Sequence, residues 1–258
     1  MLARFKFHAL AIVSSLVILS SCDILEEILG QVQLPVLSQE EIAKGLKEAL
    51  RVGTDTAVTR LSRNNGFYKD KKVQIGLPHE ADIIVKNISK VPLLGDKLID
   101  ETKKLINRAA EDAATEAAPI FKNAITSMSI SDAVGILRGN DSAATHYLRK
   151  STYKQLYNKF MPKIEASLGR KIVKDVSADG AYKALIDKYN MAAKIPFSGL
   201  EQVKSNSLSQ YVTQRALNGL FLKVADEENS IRHDVNARVN DILKKVFDEN
   251  NVNSAVTF

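Results

Sequence analysis

The chain has no tryptophan and a single cysteine, Cys22, in 258 residues. One cysteine excludes an intrachain disulfide. No staple is needed, because a body of this size buries about 70–75% of the surface its unfolded chain exposes. Histidine is scarce as well. Besides His8 there are His79, His146 and His233, and the residues three positions before them are Gly76, Ala143 and Ser230. The Glu-x-x-His pairs of helical di-iron proteins are therefore missing, as is His-Glu-x-x-His. No metal ligand set and no cofactor is expected. The glycine patterns of phosphate loops and dinucleotide folds do not occur, and neither does the Gly-x-Ser-x-Gly elbow. These absences exclude the corresponding enzyme classes. No repeat with a period of about 20–50 residues is visible.

Charge is nearly balanced, with 36 basic and 30 acidic residues. Removal of a leader carrying Arg4 and Lys6 leaves 34 against 30, a charge of +4. The basic pairs Lys71-Lys72, Lys103-Lys104, Arg149-Lys150 and Arg170-Lys171 are scattered between acids. That pattern describes solvated helix faces, and no nucleic-acid partner is expected.

What is present begins with an address. Arg4 and Lys6 precede an apolar run of 13 residues, Phe7 to Leu19, which ends in Leu19-Ser20-Ser21-Cys22. The run is short for a membrane span and suits a signal peptide. Leucine, two small residues and then cysteine resembles the bacterial lipoprotein signal. That resemblance implies a diacylglycerol on the Cys22 thiol and cleavage before it. The expected organisation is a signal peptide over 1–21, a lipidated tether over 22–37, a helical domain over 38–249 and a loose tail over 250–258. Asp23 resembles an inner-membrane retention signal.

The body reads as all-α, one domain of about eight to ten helices, from apolar spacing and caps. Ser38 and Glu41 form a capping box. Gly45, Ala49, Gly53 and Ala57 make a small-residue ladder that invites close approach of another helix. Asn64-Asn65-Gly66 ends this first helix. Residues 67–78 form a loop anchored by Phe67, Val73, Ile75 and Leu77, with a short extended piece at Val73 and Ile75. Asp96 opens a long helix that Pro119 splits. Ser129 and Asp132 suggest a second capping box, and a further helix starts at Asn140-Asp141. Pro162 is expected to bend or restart that helix, and Asp179-Gly180 to turn the chain. Ser207 opens a strong helix, and Asp234 is placed to cap the last one.

Residues 105–152 and 211–232 carry charge within their apolar stripes. Asn107, Arg108 and Glu111 share one helical turn. Arg138, Asn140, Asp141 and Thr145 surround a helix junction. Glu227, Glu228 and Arg232 lie within two turns. The expectation is that 105–152 packs on 211–232 and brings Asn107, Arg108 and Glu111 to Glu228 and Arg232. Together these ten residues would form a polar cleft or network. A set of caps and surface ion pairs is the plainer reading of the same residues.

The segments GLKEALRVGTDTAV, LINRAAEDAATEAAPIF, AITSMSISDAVGILRGNDSAATHYLRKST and YVTQRALNGLFLKVADEENSIR resemble an uncharacterised family of bacterial all-helical proteins. That family is catalogued only as a domain of unknown function and is often carried on exported or lipidated chains. The resemblance spans residues 38–247 and implies one all-α domain in an envelope setting. It brings no activity, ligand or catalytic residue.

The expected function is thus a membrane-anchored envelope lipoprotein whose helical domain binds or scaffolds without catalysis. Its partners would be the membrane, through the N-terminal lipid, and an envelope protein or lipid. It would sit on the periplasmic side of the inner or outer membrane. The alternatives are a hydrolase or transferase using the polar cleft, and a lipid-carrying module with an apolar cavity.

Overall fold

A computed structural model of the chain describes residues 37–86, 96–170, 177–204 and 207–248. The signal peptide, Cys22, Asp23, most of the tether and the C-terminal tail lie outside the described residues. The described residues from 38 to 248 belong to one compact unit.

That unit is all-α, and the described residues contain no strand. The helices are α1 (Gln39–Ser62), α2 (Asp82–Lys86), α3 (Asp96–Ala114), α4 (Ala117–Thr126), α5 (Ile130–Leu137), α6 (Ala143–Gly169), α7 (Ala178–Ala193), α8 (Leu208–His233) and α9 (Asp241–Val246). Short 3-10 turns lie at His79–Ala81 and Val235–Ala237.

Local chemistry sets most of the helix starts. Ser38 Oγ accepts the Glu41 N–H, and the Glu41 carboxylate accepts the Ser38 N–H. Ser129 and Asp132 make the same reciprocal pair before α5. Each box satisfies backbone donors that a helix start otherwise leaves open. Pro119 is the third residue of α4, where its missing N–H costs nothing, so α3 and α4 are separate helices.

α1 is the central element and packs against α3, α4, α5, α8 and α9. The two longest helices, α6 and α8, pack on each other, and α3, α4 and α7 close over α6. Phe121 of α4 meets Phe221 of α8 edge to face, with ring centroids 6.0 Å apart. The ladder on α1 is buried throughout. Gly45 faces Val246 of α9, and a methyl group there would fall inside contact distance of Val246 Cγ2. Gly53 faces α8 less tightly, with Glu227 Cβ 3.5 Å from where a methyl would stand.

Four expectations are corrected. Pro162 does not restart the helix, because α6 runs unbroken to Gly169. Leu148, Thr152, Leu156, Phe160, Ile164 and Leu168 make a buried stripe at every fourth residue, and that packing outweighs the proline. Pro162 lies on the solvent face, as does Asn158, whose freed carbonyl water can reach. Asp179-Gly180 does not turn the chain. It lies in the first turn of α7, where the Gly180 N–H donates to Ser177 Oγ at 3.0 Å. Asp234 caps the 3-10 turn, and Asn240 caps α9. Val235 and Val239 consequently stand exposed. Val73 is not part of an extended piece but lies in a turn, where its N–H donates to the Asp70 carbonyl at 3.1 Å.

Candidate functional site

The first polar group ties the loop after α1 to α3. Asn65 has φ +69°, and Gly66 leaves no room for a side chain beside the Arg60 and Leu61 carbonyls. This tight exit from the helix points three backbone N–H groups the same way. Those of Phe67 and Tyr68 donate to Glu111 Oε1 at 3.1 Å each, and that of Asn65 to Oε2 at 3.2 Å. A cluster of loop N–H groups of this kind is an anion cradle, and here the protein's own carboxylate fills it. Arg108 pairs with Glu111, and its Nη2 donates to Asn65 Oδ1 at 2.8 Å.

Asn107 lies one turn away and is fully buried. Its Oδ1 accepts the Ile75 N–H and its Nδ2 donates to the Ile75 carbonyl, both at 2.8 Å. The amide thus serves both polar groups of one residue, as a neighbouring strand would. A buried loop must place its backbone groups somewhere, and these side chains are where they go.

The second group lies where α5 ends and α6 begins. Ser142 stands at the N-cap of α6 but makes no side-chain cap. Glu228 of α8 does so instead. Its Oε1 accepts the Ala144 N–H at 2.9 Å, and its Oε2 accepts the Thr145 N–H at 2.8 Å and Thr145 Oγ1 at 2.7 Å. Arg232, one turn on, donates through Nε and Nη2 to Glu228 Oε1 at 3.1 and 3.0 Å. It also donates to the carbonyls of Ile136 at 2.9 Å and Leu137 at 3.3 Å, at the end of α5. A carboxylate at a helix N-terminus and a guanidinium at a C-terminus each match the local dipole. Arg238 repeats the device on α8, donating to the carbonyls of Ile231 at 3.1 Å and Arg232 at 3.0 Å.

The structure therefore places the ten sequence-predicted residues in separate groups. No hydrogen bond or ion pair joins Asn107, Arg108 or Glu111 to Glu228 or Arg232 among the described residues. Arg108 finds its carboxylate on its own helix, and so does Arg232. Thr145 belongs to the Glu228 group. Arg138 and Asn140 are exposed at the junction, where Asn140 Oδ1 accepts from the Ser142 N–H at 3.2 Å. Asp141 pairs on the surface with His233 at 2.8 Å. Glu227 pairs with Arg60 and ties α8 to α1.

Beside Glu228 and Arg232 lies a narrow cavity of about 20 Å³, walled by Leu46, Leu50, Val224, Ile231 and Phe247. That is roughly the room one water needs. A wider groove of about 640 Å³ opens to solvent between α1, α4 and α9. Ala43, Ile125 and Ile242 line it, with Lys44, Lys47 and Lys122 at its rim. The described residues hold no group of three or more His, Cys, Asp or Glu side chains set to bind a metal ion.

Sequence reasoning missed Asn65 and Arg238. Asn65 carried a signal in its Asn-Gly step, a pair that favours a left-handed residue. Arg238 carried none.

Helices that cap one another through buried side chains define a single-domain all-α protein. Within that class, the chain belongs to the family described as a protein of unknown function (DUF4197), whose model matches residues 36–248. No curated protein and no solved structure matches it.

Proposed function

We propose that the protein is a lipid-anchored component of the bacterial envelope whose helical domain binds or scaffolds at the membrane surface. The observation that carries this reading is Leu19-Ser20-Ser21-Cys22, which follows a basic start and an apolar run and holds the chain's sole cysteine. Lipidation needs a thiol nucleophile with small residues beside the cut. Two or three acyl chains, at roughly 0.8 kcal/mol per buried methylene, make such attachment effectively permanent. The partners proposed are the membrane itself and an envelope protein or lipid. The proposed seat is the periplasmic side of the inner or outer membrane, and Asp23 resembles a retention signal for the inner one.

The polar geometry supports binding or scaffolding over catalysis. Glu111 and Glu228 spend their acceptor capacity on backbone N–H groups and on arginines of their own helices. Side chains committed in this way hold a shape.

Mass spectrometry of protein extracted from membranes tests the anchor. The expected result is an acylated N-terminus at residue 22, with Cys22→Ser leaving an unprocessed, unlipidated chain. Mature protein with an unmodified Cys22 thiol would overturn the reading.

A further inference from the structure

The turn after α7 carries an apolar surface that the fold does not use. Phe197 is 105% exposed, Met191 69% and Ile195 61%. Phe197 and Met191 are the two most exposed large apolar side chains among the described residues, and all three lie within seven positions. The backbone around them forms a hydrogen-bonded turn. The Ser198 N–H donates to the Ile195 carbonyl at 3.1 Å, closing a four-residue turn with Pro196 second and Phe197 third. Phe197 has φ +63°. Proline second and a positive φ third describe a type II turn, whose third position favours glycine or asparagine. A phenylalanine there strains its backbone, and its ring gains no burial in return.

The turn is also braced. Ser198 Oγ donates to the Ala193 carbonyl at 3.4 Å and accepts the Leu200 N–H at 3.3 Å. Asn190 holds the returning chain through both polar groups of Val203, at 2.8 and 2.9 Å. The chain thus holds an aromatic ring outward on a fixed support. Lys188 and Lys194 flank it, exposed and without an ion pair among the described residues. Lys188 and Met191 are three apart on α7, and Lys194, its C-cap residue, is three further on, so charge and apolar surface share one side. Asp187 and Glu201 are the acids closest in sequence.

We propose that this tip inserts its Met191, Ile195 and Phe197 side chains into an anionic lipid surface, with Lys188 and Lys194 at the headgroups. Lysines beside apolar residues suit that boundary, where the charge meets anionic lipid and the apolar groups leave water. A protein partner fits less well, because three side chains fall far short of the ~800 Å² per partner that a stable interface buries. The proposal rests on the membrane-surface reading above for its bilayer, and its test separates the two.

The chain has no tryptophan, so Phe197→Trp makes a single-tryptophan protein whose indole emission is excited apart from its tyrosines. Thr115→Trp, on the exposed α3–α4 turn, is the control. The full chain of each variant is mixed with phosphatidylglycerol–phosphatidylethanolamine vesicles, with and without brominated acyl chains. Flotation reports attachment by any route, and emission reports the tip. The expected result is a blue shift and strong bromine quenching at position 197, little at position 115, and loss of the quenching in Lys188→Glu/Lys194→Glu. Flotation of Phe197→Trp with unshifted, unquenched emission would overturn the tip while leaving the anchor standing. Equal quenching at both positions, no flotation at all, or a blue shift that grows with protein concentration without lipid would each overturn it too.

Discussion

Glu228 and Arg232, one turn apart on α8, cap two different helices. Glu228 takes the free N–H groups at the start of α6, and Arg232 gives to the free carbonyls at the end of α5. The ion pair between them fixes the corner at 138–142 from a helix more than 80 residues away in sequence. Glu228→Gln should keep the shape but replace an acceptor with a donor facing N–H groups and a guanidinium. The expected loss is about 1–3 kcal/mol in denaturant unfolding. An unchanged midpoint would mean that water serves these groups equally well.

Asn107 offers a local counterpart. Asn107→Ala leaves both polar groups of Ile75 without their partner, and should cost about 1–3 kcal/mol. Because only the loop loses contact, hydrogen exchange should speed up at the Ile75 amide before it does in α1 or α8. Uniform acceleration across the domain would contradict a local clasp.

The two glycines of the α1 ladder should behave oppositely. Gly45→Ala forces a methyl against Val246 and should destabilise by about 1–3 kcal/mol. Gly53→Ala meets ordinary contact distances and should stabilise by roughly 0.5–1 kcal/mol, since alanine suits a helix better. Thermal melts of both variants check the order, and Gly53→Ala melting below Gly45→Ala would reverse it.

Acid should weaken the fold through three carboxylates. The Lys245 hydrogen bond and the Ser38 N–H hold Glu41 below its ordinary value, and the Arg51 hydrogen bond does the same for Glu48. Burial pushes Asp70 up, but Lys223 and the Lys72 N–H outweigh it and hold it low. A carboxylate with a lowered folded pKa stabilises above its unfolded pKa and loses that contribution as pH falls through the folded value. The denaturation midpoint should therefore drop below about pH 4, and Asp70→Asn should flatten part of the slope. A slope unchanged in Asp70→Asn would remove that residue from the account.

The capped helix starts were legible because a cap is local. Ser38 with Glu41 and Ser129 with Asp132 need only three residues of sequence. Pro162 and Asp179-Gly180 misled because both are breakers by local rule, while the packing of α6 and the Ser177 cap decide the outcome. The polar groups were half legible. Asn107, Arg108, Glu111, Glu228 and Arg232 stood out as polar and charged residues within apolar stripes. Their partners did not, because those partners are largely backbone N–H and C=O groups of distant loops and helix ends. Sequence does not mark a backbone group as unpaired. Reasoning that each buried charge needs an opposite charge on another element overlooked that supply.

Double-mutant cycles test most directly whether the buried polar residues act as separate clasps and not as one cleft. The cycle between Arg232 and Glu228 should give a large coupling, with either alanine variant alone costing on the order of 3–5 kcal/mol through the stranded partner. The cycle between Arg108 and Glu228 should give a coupling near zero, because Arg108 pairs with Glu111 and Asn65 instead. A substantial coupling between Arg108 and Glu228 would contradict the account, since it would join in one network two groups that share no bond here.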